Sequence, residues 1–597
     1  MKSKLKNIYF LLKGSFKINK KTIFITIIKN FFKASISFIN IIGIGVIIDS
    51  LETKQPEKYT FKIIGLYIVV SLSVVIIREF IQLMENNLNR KVSNKMQFEY
   101  SEDAISINYH FVQDNTLLNL RRKSMRGHPA AAFIDHIGNF FYYIFQLIGI
   151  FSIFSILSPL FIIIILLTSL LSIILIFIDK KNNYDFINEK IEEDRKLDYL
   201  YSVMTDYRYA KEIRINNAKD YIGTKYNKIF NIQTKKIKNL FSKNLKINLL
   251  STLITITQTI IMYFYFSYSV FTNKISISEY TVLLASTTLL ISLLLGIFDT
   301  FATLNDTAKS FDFYKEYKSL VQLNSVINDS NKLPEVRLDL SNYTIKFEKV
   351  SFSYPGDDSF SLKNINLEIK KNDRIGIVGL NGSGKTTFIK LLIRLYDPTE
   401  GIISINGIDI KTIPYQQYIK NIGIVLQDFS IFAYSVKENI IFDSEYDASK
   451  LDEAIIKSGL EEKIKSLKKG IDTSIFKILD KEGIEFSGGE EQKLALARAI
   501  YKDGSILVLD EPTSAMDPLA EYEFFSKISN ISKEKTAIFI SHRLSSTKNC
   551  DIIFVFSNGE IVEKGNHHEL MNQQGIYYNL FNLQAKYYTT KENKNNE

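Results

Sequence analysis

Tryptophan is absent from these 597 residues, and cysteine occurs once, at Cys550. A single thiol excludes an intramolecular disulfide and a thiolate metal cluster. The six histidines show no HExxH spacing, and His567-His568 reads as a solvated surface pair. With no tryptophan, an interfacial aromatic belt must draw largely on the 33 tyrosines, and Tyr142 and Tyr143 are its candidates. A small-residue cleavage site is missing near the N-terminus, so its lysine-rich stretch is expected to lead straight into a membrane segment rather than a cleaved signal. Also missing is a basic face interleaved with exposed aromatics on a soluble domain. The net charge of +10 is therefore not assigned to nucleic acid, and no nucleic-acid partner is expected. Lys2, Lys4, Lys6, Lys13, Lys17, Lys20 and Lys21 crowd instead before the first long apolar run, the bias of a cytoplasmic membrane flank.

What is present divides in two. The chain is too long for one domain, and its apolar runs fall before residue 305. Six of them are long enough to cross roughly 30 Å of hydrocarbon: about Thr22 to Ile48, Phe61 to Met84, Ala132 to Leu157, Leu160 to Ile178, Ile247 to Phe271 and Tyr280 to Phe301. The loops after the first, third and fifth are short. Those after the second and fourth, residues 85–130 and 179–246, are long, charged and helical in pattern. With the N-terminus inside, both charged segments fall on the cytoplasmic side as hairpins long enough to reach a cytoplasmic partner. Arg78-Glu79 and Asp299 lie near the inner ends of spans two and six, where the alternatives are lining a cavity and, the favoured reading, snorkelling to the interface.

Beyond Pro334 the pattern changes. Strand-like runs such as Tyr343–Phe347 and Arg374–Val378 alternate with helical ones, as in a parallel α/β sheet. The expected domains are a helical membrane domain with six transmembrane helices over 1–335 and an α/β phosphate-loop NTPase domain over 336–597.

The second half carries its chemistry in order. Gly379-Leu380-Asn381-Gly382-Ser383-Gly384-Lys385-Thr386 fills every fixed position of a phosphate-binding loop, between a strand and a helix that begins at Thr387. Its glycines turn successive N–H groups inward, and the helix start adds its positive end. Lys385 supplies charge to the β- and γ-phosphates of ATP, and the Thr386 hydroxyl is placed for Mg²⁺. Ile506–Leu509 then reads as a buried strand ending in Asp510, a Mg²⁺-shell carboxylate. Glu511 beside it is the candidate general base for the attacking water.

With Phe486-Ser487-Gly488-Gly489-Glu490, followed by Leu494-Ala495-Leu496-Ala497-Arg498-Ala499, the chain resembles an ATP-binding cassette (ABC) transporter of the exporter half-transporter type. The resemblance runs from the first span to about residue 583. It implies an ATP-hydrolysing translocase and gives further residues roles. Tyr354 would stack on adenine, and Gln427 would sense Mg²⁺ and couple to the membrane domain. Asp517 would communicate between paired ATPase domains, and His542 would contact the γ-phosphate as a catalytic partner of Glu511. Ser487, Gly488, Gly489 and Glu490 would close over the ATP of another subunit, and Thr387 joins the nucleotide contacts. One phosphate loop and one signature per chain imply a dimer, a homodimer being the simpler case and a heterodimer the alternative. Two departures stand out: Glu490 replaces the usual glutamine, and Lys481 stands where many exporters have a glutamate.

The resemblance also implies export across a bacterial cytoplasmic membrane, with the N-terminus and ATPase inside. The strong Ile, Lys and Asn usage points to an AT-rich bacterial genome. Nothing ahead of the first span resembles a peptidase domain, so leader cleavage by this chain is not expected. The stretches Phe486–Lys493 and Ala210–Arg214 look like those of lantibiotic and modified-peptide exporters. The expected cargo is a peptide, with a multidrug or lipid exporter as the rival. An ATP-gated regulator or channel is the reading from another class, disfavoured by the intact Glu511 and His542.

Overall fold

The computed structural model describes residues 20–592 apart from 113, 127–129, 154–158, 324, 326–335, 337, 340, 513–523, 525–526, 529–534 and 542–543. The chain separates into two compact units, Met1–Ile105 with Gln113–Gln322, and Ser106–Val112 with Leu323–Glu597. The expected boundary at Pro334 lies outside the described residues.

The first unit is helical: α1 (Lys20–Glu52), α2 (Glu57–Ser106), α3 (Asn115–Arg126), α4 (Ala130–Ile153), α5 (Pro159–Glu189), α6 (Ile191–Thr205), α7 (Tyr207–Ile215), α8 (Lys219–Phe271) and α9 (Ile277–Leu323). Among the described residues four helices, α1, α2, α8 and α9, are long and apolar enough to cross a membrane. They coincide with the first, second, fifth and sixth apolar runs, and α4 and α5 occupy the positions of the third and fourth. At 1.5 Å per residue, the 53 residues of α8 reach about 80 Å, far beyond a hydrocarbon core. Its polar N-terminal half is thus one rod with the apolar run.

Helix α1 packs along α4, and α8 along α5. The α1–α4 approach is close because Gly149 leaves room for the Phe38 ring and Gly138 for Thr26 and Asn30, a small-residue seam suited to helices that gain little from hydrophobic association in lipid. Tyr142 and Tyr143 are drawn into this packing. Gln146 donates to the Tyr142 hydroxyl at 2.6 Å, Lys33 lies 4.5 Å above its ring, and Tyr143 fills the notch at Gly296. Glu85, fully buried, accepts from Thr26 and Lys29 at 2.6 Å each and from Gln82 at 3.1 Å, so its charge is covered where an unpaired one would be costly. Asp299 pairs with Lys180 at 2.9 Å.

The second unit is built on two sheets. An antiparallel one has the order β2 (Leu362–Lys370), β1 (Thr344–Phe352), β4 (Glu400–Ile405), β5 (Ile408–Asp409). The other runs β10 (Glu560–Gly565), β9 (Ile552–Ser557), β3 (Arg374–Gly379), β8 (Thr536–Ile540), β7 (Ile506–Asp510), β6 (Ile422–Val425). It is parallel from β9 to β6, with β10 antiparallel at its edge. Every residue of β7 and β8 is buried, which explains their unbroken apolar runs: a parallel strand is covered on both faces. The register sets Ile377 of β3 opposite Ile540 of β8, and Ile540 opposite Asp510 of β7. The ends of β3 and β7 therefore lie level on one edge of the sheet, where ligands bind in open α/β sheets.

Helices α10 (Lys385–Leu392), α11 (Val436–Ile441), α12 (Ala448–Ser458), α13 (Glu461–Ser466), α14 (Gly488–Tyr501), α15 (His567–Gln573) and α16 (Ile576–Glu592) complete what is needed below. The expected solvated histidine pair is corrected here. His567 is buried and its Nδ1 lies 2.8 Å from the Tyr577 hydroxyl of α16, because α16 folds back over α15 and brings Tyr577 and Phe581 against the ring.

Candidate functional site: a phosphate-loop cavity

The loop between β3 and α10 needs its glycines. Gly382 and Gly384 sit at φ +79° and +106°, the left-handed region that glycine enters without a Cβ clash. Gly384 serves as N-cap of α10, leaving the first N–H groups of that helix without intrahelical partners. Lys385, 6 % exposed, folds back so that its Nζ donates to the carbonyls of Gly379 at 2.9 Å and Leu380 at 3.0 Å. Burial pushes its ammonium below the usual lysine range, against the opposing pull of Glu511 and Asp510.

The loop opens on a cavity of about 590 Å³ lined by Tyr354, Ser361, Asn381, Gly382, Gly384, Lys385, Thr386, Thr387, Gln427 and Glu511. The Tyr354 hydroxyl lies 3.0 Å from Thr387 Oγ1, and its ring packs edge-on against Phe352 and Tyr396. At the end of β7, Glu511 takes φ +50°, a costly conformation for a non-glycine residue. Its N–H bonds the Ile540 carbonyl at 3.0 Å, while its Oε2 accepts from Gln427 Nε2 at 3.2 Å.

Asp510 is 1 % exposed, and neither carboxylate oxygen has a hydrogen-bond partner among the described residues. Burial, aided by the Glu511 charge, raises its carboxyl to about 6. A buried acid without donors is ready for a cation. Asp510, the Thr386 hydroxyl and the Gln427 amide oxygen form the hard oxygen set that suits Mg²⁺, so the residues fit that ion.

Of the sequence candidates, Tyr354, Asn381, Gly382, Gly384, Lys385, Thr386, Thr387, Gln427 and Glu511 meet at one cavity. Gly379 and Ser383 belong to its loop, and the Ser383 Oγ is buried without a partner among the described residues. Ser487–Glu490 are not among its lining residues. Ser487 caps α14 in a capping box with Glu490. Asp517 and His542 lie outside the described residues. Ser361, at the approach to β2, lines the cavity but belongs to no motif; it arrives by strand pairing, which spacing does not reveal.

Residues 362–514 match the family described as ABC transporter. The chain is 34 % identical over 390 residues to the subtilin transport ATP-binding protein SpaT of Bacillus subtilis, covering 64 % of this chain and 62 % of that one. It is 38 % identical over 282 residues to the leukotoxin translocation ATP-binding protein LktB of Mannheimia haemolytica, covering 46 % and 39 %. The matched part thus spans less than two thirds of either relative. In fold it is similar to a bacterial Atm1-family ABC exporter solved with ATP bound, with a TM-score of 0.79 at 19 % identity over 95 % of this chain and 99 % of that one.

Proposed function

We propose that this chain, which joins a membrane-spanning helical unit to an ABC transporter domain in the exporter fold, is one half of an ATP-driven peptide exporter. In this reading residues 1–335 form the membrane domain with six spans, 336–597 form the nucleotide domain, and both chain ends face the cytoplasm of a bacterium. The observation that carries it is the cavity where the phosphate loop, Gln427 and Glu511 converge, in a chain whose other unit has, among the described residues, four helices long and apolar enough to cross a membrane. The names of SpaT, of subtilin transport, and LktB, of leukotoxin translocation, favour a peptide over a drug or lipid.

ATP enters with its adenine against Tyr354 and its phosphates on the N–H groups of the loop. Lys385 exchanges the carbonyls of Gly379 and Leu380 for phosphate oxygens. Asp510, Thr386 and Gln427 would hold Mg²⁺, which would supply charge neutralisation to the phosphates. Glu511 accepts the proton of the attacking water as its oxygen bonds the γ-phosphorus, and ADP departs with the electrons of the broken bond. His542 contacts the γ-phosphate, and Asp517 relays the state of one ATPase to the other. Because Ser487–Glu490 lie off the cavity of their own chain, the N-terminus of α14 serves the ATP of a second copy. Closure of two such sites drives the spans outward, and hydrolysis resets them.

The test is ATPase rate in lipid nanodiscs against modified peptides, hydrophobic drugs and lipids, with Glu511→Gln as the blank. That variant is expected to lose activity by about 10²–10⁴, and peptides are expected to stimulate the wild type selectively. Stimulation by drugs or lipids with peptides inert replaces the cargo assignment; turnover indifferent to Glu511→Gln removes the pump.

A further inference from the structure

We propose that Lys463 is a positioning residue for ATP: by holding the Glu490 carboxylate in the Ser487 cap, it keeps the N-terminus of α14 open to phosphate. The inference rests on the reading of that helix start as the lid over a second copy's nucleotide.

The geometry is a three-way clamp. Glu490 Oε2 accepts the Ser487 N–H at 2.8 Å, the Ser487 hydroxyl faces the Glu490 N–H at 3.4 Å, and Glu490 Oε1 pairs with Lys463 Nζ at 2.9 Å. Lys463 comes from a separate helix, α13, and its Nζ stands 5.4 Å over the Phe486 ring. Phe486 is itself buried in the cluster with Leu460, Ile464 and Leu494, so the lysine is aimed by the core beneath it.

The chemistry sets the need. A glutamine at position 490 would make the same cap without charge. A glutamate puts a full negative charge within one turn of N–H groups that have no intrahelical partner, Gly488 and Gly489 among them. Burial works to raise the Glu490 carboxyl, but the Ser487 N–H and Lys463 outweigh it and hold it below the usual carboxylate range. It therefore stays ionised at neutral pH and competes with phosphate for the same donors. Lys463 both cancels the charge and fixes the rotamer in which the carboxylate reaches back to Ser487 rather than forward over the helix end.

The experiment measures KM for ATP and kcat of the full chain in nanodiscs for Lys463→Met, Lys463→Gln, Lys463→Arg, Glu490→Gln and the Lys463→Met/Glu490→Gln double variant. Each of the two neutral lysine variants is expected to raise KM about three- to fivefold, the reach of a partly exposed ion pair, with kcat unchanged. Lys463→Arg restores KM because it keeps the charge. The double variant is expected to match Glu490→Gln alone rather than Lys463→Met, since without the carboxylate there is no charge for Lys463 to cover. Raised salt shrinks the defect. Wild-type KM in both neutral variants, a defect that Glu490→Gln does not relieve, or a fall in kcat alone overturns the proposal. The two levels separate in the controls: wild-type activity insensitive to Glu511→Gln strikes the ATPase reading and this inference with it, whereas activity sensitive to Glu511→Gln but indifferent to Lys463 strikes this inference only.

Discussion

In the first unit Phe61 and Phe264 stand 71 % and 76 % exposed, while in the second Phe388 and Phe556 are each 1 % exposed. The residue type is the same and the solvent differs: hydrocarbon in one case, water in the other. Hydroxyls divide in parallel. Thr255 and Thr287, on the long apolar helices, turn back to their own helix and bond the Ser251 carbonyl at 3.0 Å and the Leu283 carbonyl at 2.7 Å, as suits a solvent that offers no partner. In the second unit, Ser435 and Ser487 begin helices α11 and α14 with capping boxes. The first pair hides its polarity within its own helix, and the second spends it on orphan N–H groups.

The sharpest way to break this contrast is to truncate the aromatics. Phe388→Ala removes a ring stacked on Phe347 at 4.7 Å and is expected to cost the second unit about 3–5 kcal/mol. Phe264→Ala, facing lipid, should cost well under that, and denaturant unfolding in nanodiscs compares the two. Equal costs would mean that Phe264 is covered in the assembled protein.

Asp510 gives the next effect, and its direction follows from its raised carboxyl. Ionisation is penalised in the folded state, so the penalty is absent below the ordinary carboxylate range, grows as pH rises and is complete above about 6. Asp510→Asn should therefore melt higher than the wild type at about pH 7.5 without nucleotide or Mg²⁺, with the gain gone near pH 4. In the wild type, proton competition should weaken Mg²⁺ binding about tenfold per unit below that midpoint. Thermal melting and Mg²⁺ titration across pH check both.

The smallest test compares hydroxyls. Ser435→Ala should cost about 1 kcal/mol by loss of the cap, and Thr255→Ala close to nothing, because its hydroxyl only doubles an acceptor already used by the helix. Chemical unfolding of each variant reads the difference.

The same division explains what could be read from the residues. The phosphate loop, the buried strand before Asp510 and the first, second, fifth and sixth apolar runs are local patterns, and each appears where spacing put it. Lys463 beside Glu490, Ser361 at the cavity and Tyr577 against His567 are meetings of distant segments made by strand pairing and helix docking, which no local period encodes. In the membrane unit, hydropathy delimited the runs but not their length as helices: α2 continues to Ser106, since a helix crossing out of lipid has no reason to stop where its residues turn polar. Nor did it reveal that Phe38 seats at Gly149.

The left-handed backbone of Glu511 has a consequence on another timescale. Glycine would relax that strand end, so selection for stability alone would replace the glutamate there. A lineage that keeps a glutamate there would record continuous selection for turnover. In a gene copy released from that selection, the same position is among the first where drift and stability would pull in one direction.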